Sequence, residues 1–126
     1  MRTCAQASSG SEPPFRALTI QNNVVVGFPY FVNGSTRPFS AGSAPVVKTF
    51  SGNLAWNVTG CPSGSICSQN PRLTNMTLAS FDGNPLAGSP VIDAAPPITA
   101  VVDDFLKRPR PVGAGPDIGA YEVQTP

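Results

Sequence analysis

Apolar and β-branched residues gather in two stretches of this chain, ALTIQNNVVVGF (17–28) and PVVKTFSGNLAWNV (45–58), each bounded by Gly or Pro. Short runs of Val, Ile, Thr and aromatic residues suit a pleated, half-buried strand, and the turn formers beside them mark where it stops. Both stretches therefore predict strands. Laid over each other at an offset of 30, they agree position by position. Thr19 falls on Thr49, Ile20 on Phe50, Asn23 on Asn53, Val24 on Leu54 and Val26 on Trp56. A period of that length with short strands and a recurring Asn suggests a β-solenoid, in which equivalent side chains stack from coil to coil. An Asn at the turn between strands takes left-handed backbone readily, and stacked Asn side chains would continue the ladder.

Helices are hard to place. The chain has 15 prolines spread along its length, and each one inside a helix costs about 3 kcal/mol. The run TAVVDDFLK (99–107) reads equally as a helix or a strand, given its β-branched content. Residues 59–97 are irregular, and Asp82-Gly83-Asn84-Pro85 reads as a turn. The chain thus divides into an irregular segment at 1–16, strand-forming coils at 17–97 and a closing segment at 98–126.

A length of 126 residues fits one domain with a modest core. Only 12% of residues are charged, about half the usual share of roughly 25%. Surface polarity must come from Ser, Thr, Asn and backbone, a mixture that suits an extracellular or cell-surface all-β protein. The net charge of +1 gives no long-range pull toward nucleic acid or anionic lipid. No apolar run approaches the length of about 18 residues needed for a membrane span. The N-terminus MRTCAQASSGSEPPF lacks the apolar centre of a secretory signal, so a signal is expected upstream of Met1.

Histidine is absent, which removes Ser-His-Asp and Cys-His catalysis and His-based zinc sites. Cys4, Cys61 and Cys67 have no zinc spacing. Cys61 and Cys67 flank a short loop, PSGSI, and either a disulfide or two free thiols fits there. GAGPDIG (113–119) has the wrong spacing for a dinucleotide loop and carries Pro116 inside it. Asp93, Asp103, Asp104, Asp117 and Glu122 are candidates for the paired carboxylates of glycoside hydrolysis, although a role in holding turns together is preferred. Asp103-Asp104 is the candidate calcium (Ca2+) pair, offering hard oxygen ligands without a supporting Asp-x-Asp loop. Trp56, Tyr30 and Phe28 are candidates for stacking on sugar rings, with Trp56 assigned to the core.

GSPVIDAA (88–95) and VDDFLKRPRPVGAGPDIGAYE (102–122) resemble the C-terminal end of right-handed parallel β-helix repeat proteins. Many of these are secreted or surface-anchored bacterial proteins similar to polysaccharide lyases. The matching positions are Ser89, Pro90, Ile92 and Asp93, then Asp104, Arg110 and Pro111, then Asp117 through Glu122. NPRLTN (70–75) is similar to the segment preceding that end, and LTIQNNVVVG (18–27) to an ordinary coil. The family has Gly where Lys107 and Ala95 stand. If those positions need positive φ, each substitution costs about 1 kcal/mol.

The resemblance implies an all-β fragment, a right-handed parallel β-helix (solenoid) ending in a Pro/Gly-rich closing segment that covers the last coil. Arg108 and Arg110 would pair with Asp103, Asp104, Asp117 or Glu122, and Ile118 and Tyr121 would supply apolar contact. The implied function is structural: the end of a polysaccharide-binding or polysaccharide-processing protein, partnered by upstream coils and polysaccharide. No catalytic, cofactor or metal residue is assigned within the chain itself. One alternative is a lyase or hydrolase of acidic polysaccharide, drawing on Lys48, Lys107, Arg108 or Arg110. Another is an adhesin-like carbohydrate-binding module presenting Trp56 and Tyr30.

Overall fold

The computed structural model describes residues 17–27 and 47–124. Within them lie seven short strands: β1 (Ala17–Gln21), β2 (Val24–Val26), β3 (Val47–Ser51), β4 (Asn53–Trp56), β5 (Ser65–Cys67), β6 (Leu73–Asn75) and β7 (Asp82–Pro85). β1 pairs with β3 in parallel, β2, β4 and β5 form a parallel three-stranded sheet in that order, and β6 and β7 pair antiparallel.

The parallel register is the 30-residue offset visible in the sequence, with Thr19 opposite Thr49, Ile20 opposite Phe50, Val24 opposite Leu54 and Val26 opposite Trp56. Each strand-forming stretch breaks at the same place. Asn22 and Gly52 both sit at φ 58°, left-handed backbone that Gly and Asn tolerate best. The next residue carries the ladder. Asn53 Oδ1 accepts from both the backbone N–H and the amide of Asn23, each at 3.0 Å, while its own amide donates to the Ile20 carbonyl at 2.9 Å. Asn53 has no exposed surface, so these bonds have no competing water.

The chain is not a right-handed parallel β-helix. The β1–β3 sheet stops at two strands and the β2-β4-β5 sheet at three, and no sheet closes or runs on as a solenoid among the described residues. The repeat length is what fails. The first pairing steps 30 residues, but β4 meets β5 with Asn53 opposite Ser65, far too short a step to return a strand to β3 as well. The Cys61–Cys67 disulfide, with Cα atoms 6.0 Å apart, closes this short connection and decides between the two readings of those cysteines. β6 and β7 then fold back antiparallel, which a steadily coiling chain does not do.

Two local expectations also change. Asp82–Pro85 is a strand, not a free turn, because it finds a partner in β6; Asp82 Oδ1 still accepts from Asn84 N at 3.0 Å, the local bond behind the turn signal. Residues 99–107 form neither helix nor strand. Asp104 Oδ1 captures the N–H groups of Leu106 and Arg108 at 2.8 and 3.0 Å, so the backbone turns locally instead.

The core is small. Leu54, Val91, Ala95 and Ile118 are buried together, with Val24, Trp56 and Ile66 packed partly against them. Trp56 thus packs against the core while remaining partly exposed. Phe28 and Tyr30 lie outside the described residues, and Lys48 is a β3 position. Among the described residues, no helix is long and apolar enough to cross a membrane.

Replacing Asn53 by Ala removes two acceptor bonds and one donor bond from a dry site. The expected loss is about 2–3 kcal/mol of unfolding free energy, read from the urea midpoint at constant slope.

Candidate functional site

Residues 98–124 contain no strand, only an isolated bridge between Asp103 and Pro109. Side chains therefore supply the order that a sheet would otherwise give. The segment turns its acids inward: Asp104, Asp117 and Glu122 have 5%, 1% and 0% of their surface exposed. Glu122 Oε2 accepts from Arg110 Nε and from Asp117 N, both at 2.9 Å, and Oε1 from Val112 N at 2.7 Å. Asp104 Oδ2 accepts from Arg108 Nε at 2.8 Å and Glu122 N at 3.1 Å. Asp117 Oδ1 accepts from Asp93 N at 2.8 Å and Oδ2 from Val123 N at 2.7 Å. Arg110 Nη1 and Nη2 also donate to the carbonyls of Gly119 and Asp117.

Backbone bonds then tie this clasp to the core. Ile118 N donates to Val91 O at 2.8 Å, Ala95 N to Pro116 O at 2.9 Å and Gly119 N to Asn22 O at 3.0 Å. Ile118 sits in the core and Tyr121 is half-buried against Gly83 of β7. Of the expected pairings, Arg108 takes Asp104 and Arg110 takes Glu122; Lys107 meets Asp103 at 3.2 Å on the surface. Lys107 does sit at φ 63°, whereas Ala95 is not among the residues at positive φ.

The acids of the clasp are pulled in opposite directions. Burial pushes the Asp104 carboxyl up, but bonds from Arg108, Glu122 and Leu106 together outweigh it and hold it well below the ordinary range. Burial also pushes Asp117 up. The backbone N–H groups of Asp93 and Val123 oppose this, while the charges of Glu122 and Asp93 add to it, and the net shift is upward. With two guanidiniums facing three buried carboxylates, Asp117 is the one left without a cation.

This arrangement suits anchoring better than chemistry. Every oxygen of Asp104, Asp117 and Glu122 already accepts a bond, whereas hydrolysis needs one carboxyl to give a proton and another to meet water or the sugar. Asp93 is exposed, but its Oδ1 accepts from Gly115 N at 3.0 Å. In the Asp103-Asp104 pair, Asp104 faces Arg108 and Asp103 faces Lys107. No group of three His, Cys, Asp or Glu residues capable of holding a metal occurs among the described residues.

A second feature arises where the closing segment meets the strands. A cavity of about 380 Å³ opens between Asn22–Val24, Leu73, Phe81–Gly83 and residues 118–121. Gly83 makes it possible. A Cβ there would stand 2.9 Å from the Tyr121 ring and 3.1 Å from the Phe81 ring, so only glycine lets both rings flank this point. Phe105, 70% exposed, meets Tyr121 edge-on with ring centres 5.9 Å apart. Phe81 and Phe105 are not among the aromatic residues that the sequence singled out, since Phe81 stands beside a turn signal and Phe105 within an ambiguous run.

No protein-family model, curated protein or solved structure matches this chain.

Stability should follow both displaced acids. Asp104, depressed, contributes stability that is present above the ordinary carboxylate value of about 4 and is lost as pH falls toward its folded value. Asp117, raised, contributes stability that is present below about 4 and is lost as pH rises through its folded value. Thermal melts should peak near pH 4 from these two groups, and Asp117→Asn should flatten the fall on the alkaline side while leaving the acid side. Separately, Lys107→Gly relieves left-handed strain at the cost of one exposed ion pair. It should stabilise the fold by about 0.5–1 kcal/mol in the same melts.

Proposed function

We propose that residues 98–124 form a non-catalytic fastening element, locking the C-terminal part of the chain onto its strands in a protein that works outside the cytoplasm. The saturation of the three buried carboxylates carries this reading. Six carboxylate oxygens accept from arginine or backbone N–H groups, so none is left aimed at a reacting atom. The cations of this region are engaged as well. Arg108, Arg110 and Lys107 each face an acid of the same segment, which does not favour capture or lysis of an acidic polysaccharide here. The Cys61–Cys67 disulfide and the low charge content support an oxidising compartment.

Arg110→Ala in the full chain tests the fastening role. It leaves Glu122 buried with no cation, and the expected cost is about 3–5 kcal/mol, with self-association of the loosened segment. Calorimetry and light scattering read both effects. A variant that melts and remains monomeric like the parent would refute the fastening role. Polysaccharide cleavage by the parent, lost in Glu122→Gln without a change in melting, would replace it with an enzymatic one.

A further inference from the structure

We propose that the cavity between Asn23, Phe81 and Tyr121 is a binding site for a neutral saccharide. This goes beyond the fastening role and rests on different side chains. Three observations select the ligand. First, the lining residues include no charged side chain, so nothing there would offset an anionic or cationic ligand. Second, Phe81 and Tyr121 flank Gly83, and Phe81 is 55% exposed, leaving aromatic surface open to the apolar C–H face of a ring. Third, Asn23 lines the cavity as an acceptor rather than a donor. Both amide hydrogens of Asn23 are committed, to Gln21 O at 2.7 Å and Asn53 Oδ1 at 3.0 Å, so the side chain has only its Oδ1 acceptor to offer a ligand.

That third observation separates a sugar from a proline-rich peptide. A proline segment also lies well on aromatic rings, but it offers carbonyls and lacks N–H donors. A sugar offers hydroxyls that donate to Asn23 and exchange bonds with the Tyr121 phenol. The volume of about 380 Å³ falls within the range of roughly 300–1,000 Å³ typical of small-ligand sites. The site is assembled from the start of β2, from β6 and β7 and from the closing segment, so it exists only in the folded chain.

Titration calorimetry of the full chain against neutral oligosaccharides of glucose, mannose, xylose and galactose tests the proposal, with polygalacturonate and a proline decapeptide alongside. At least one neutral oligosaccharide should bind with a dissociation constant of about 1 mM or tighter. Phe81→Ala should weaken it roughly tenfold, and Tyr121→Phe, which removes only the hydroxyl, about threefold. Neither variant should change the melting temperature much, since Phe81 is largely exposed and Tyr121 keeps its ring. Silence across the neutral panel would overturn the assignment. So would binding of polygalacturonate or the proline peptide alone, or affinity indifferent to Phe81→Ala.

Discussion

The buried contact between Arg110 and Glu122 is the interaction on which the C-terminal third of this chain depends. Glu122 has no exposed surface and receives Arg110 Nε, Asp117 N and Val112 N together, so one carboxylate fixes three separate points of a strandless segment. A protein with a larger core could have used apolar packing for this task, often at no loss of stability. Here only Leu54, Val91, Ala95 and Ile118 form the buried cluster. Directional bonds to a few charges do what area cannot. Each charge is expensive to bury alone, which is why all three carboxylates are fully bonded.

The two features of the molecule are physically linked. Asp117 and Glu122 bracket Ile118 and Tyr121 in sequence, so the bonds that hold the acids also place Ile118 in the core and the Tyr121 ring beside Gly83. The clasp thereby builds one wall of the cavity, while the turn at Asn22 and the hairpin β6–β7 build the others. A side chain that fastens and a surface that receives are neighbours along six residues of chain.

The β1–β3 and β2–β4 pairs and their register were legible in the sequence, because stacking of like on like leaves a mark at a fixed offset. Thr19 and Thr49, or Asn23 and Asn53, announce each other. The architecture was not. Two similar stretches suggest a repeating coil, but whether the coil continues depends on the length of the next step, which the disulfide loop at Cys61 and Cys67 shortens. The antiparallel hairpin was hidden by Asp82-Gly83-Asn84-Pro85, whose composition signals a turn even though its backbone pairs with Leu73–Asn75. In the clasp, the charges themselves were evident, and their closeness along the chain suggested mutual pairing. Which partner each took was set by three-dimensional turns that leave no period.

The placement of charge has a consequence for how this protein meets salt. The chain has eight basic and seven acidic residues, and seven of these fall between Asp103 and Glu122, mostly turned inward. Ions in solution weaken attractions between exposed charges over distances of about 10 Å, but reach buried pairs far less. A closing segment secured from within by such pairs is therefore little loosened by added salt.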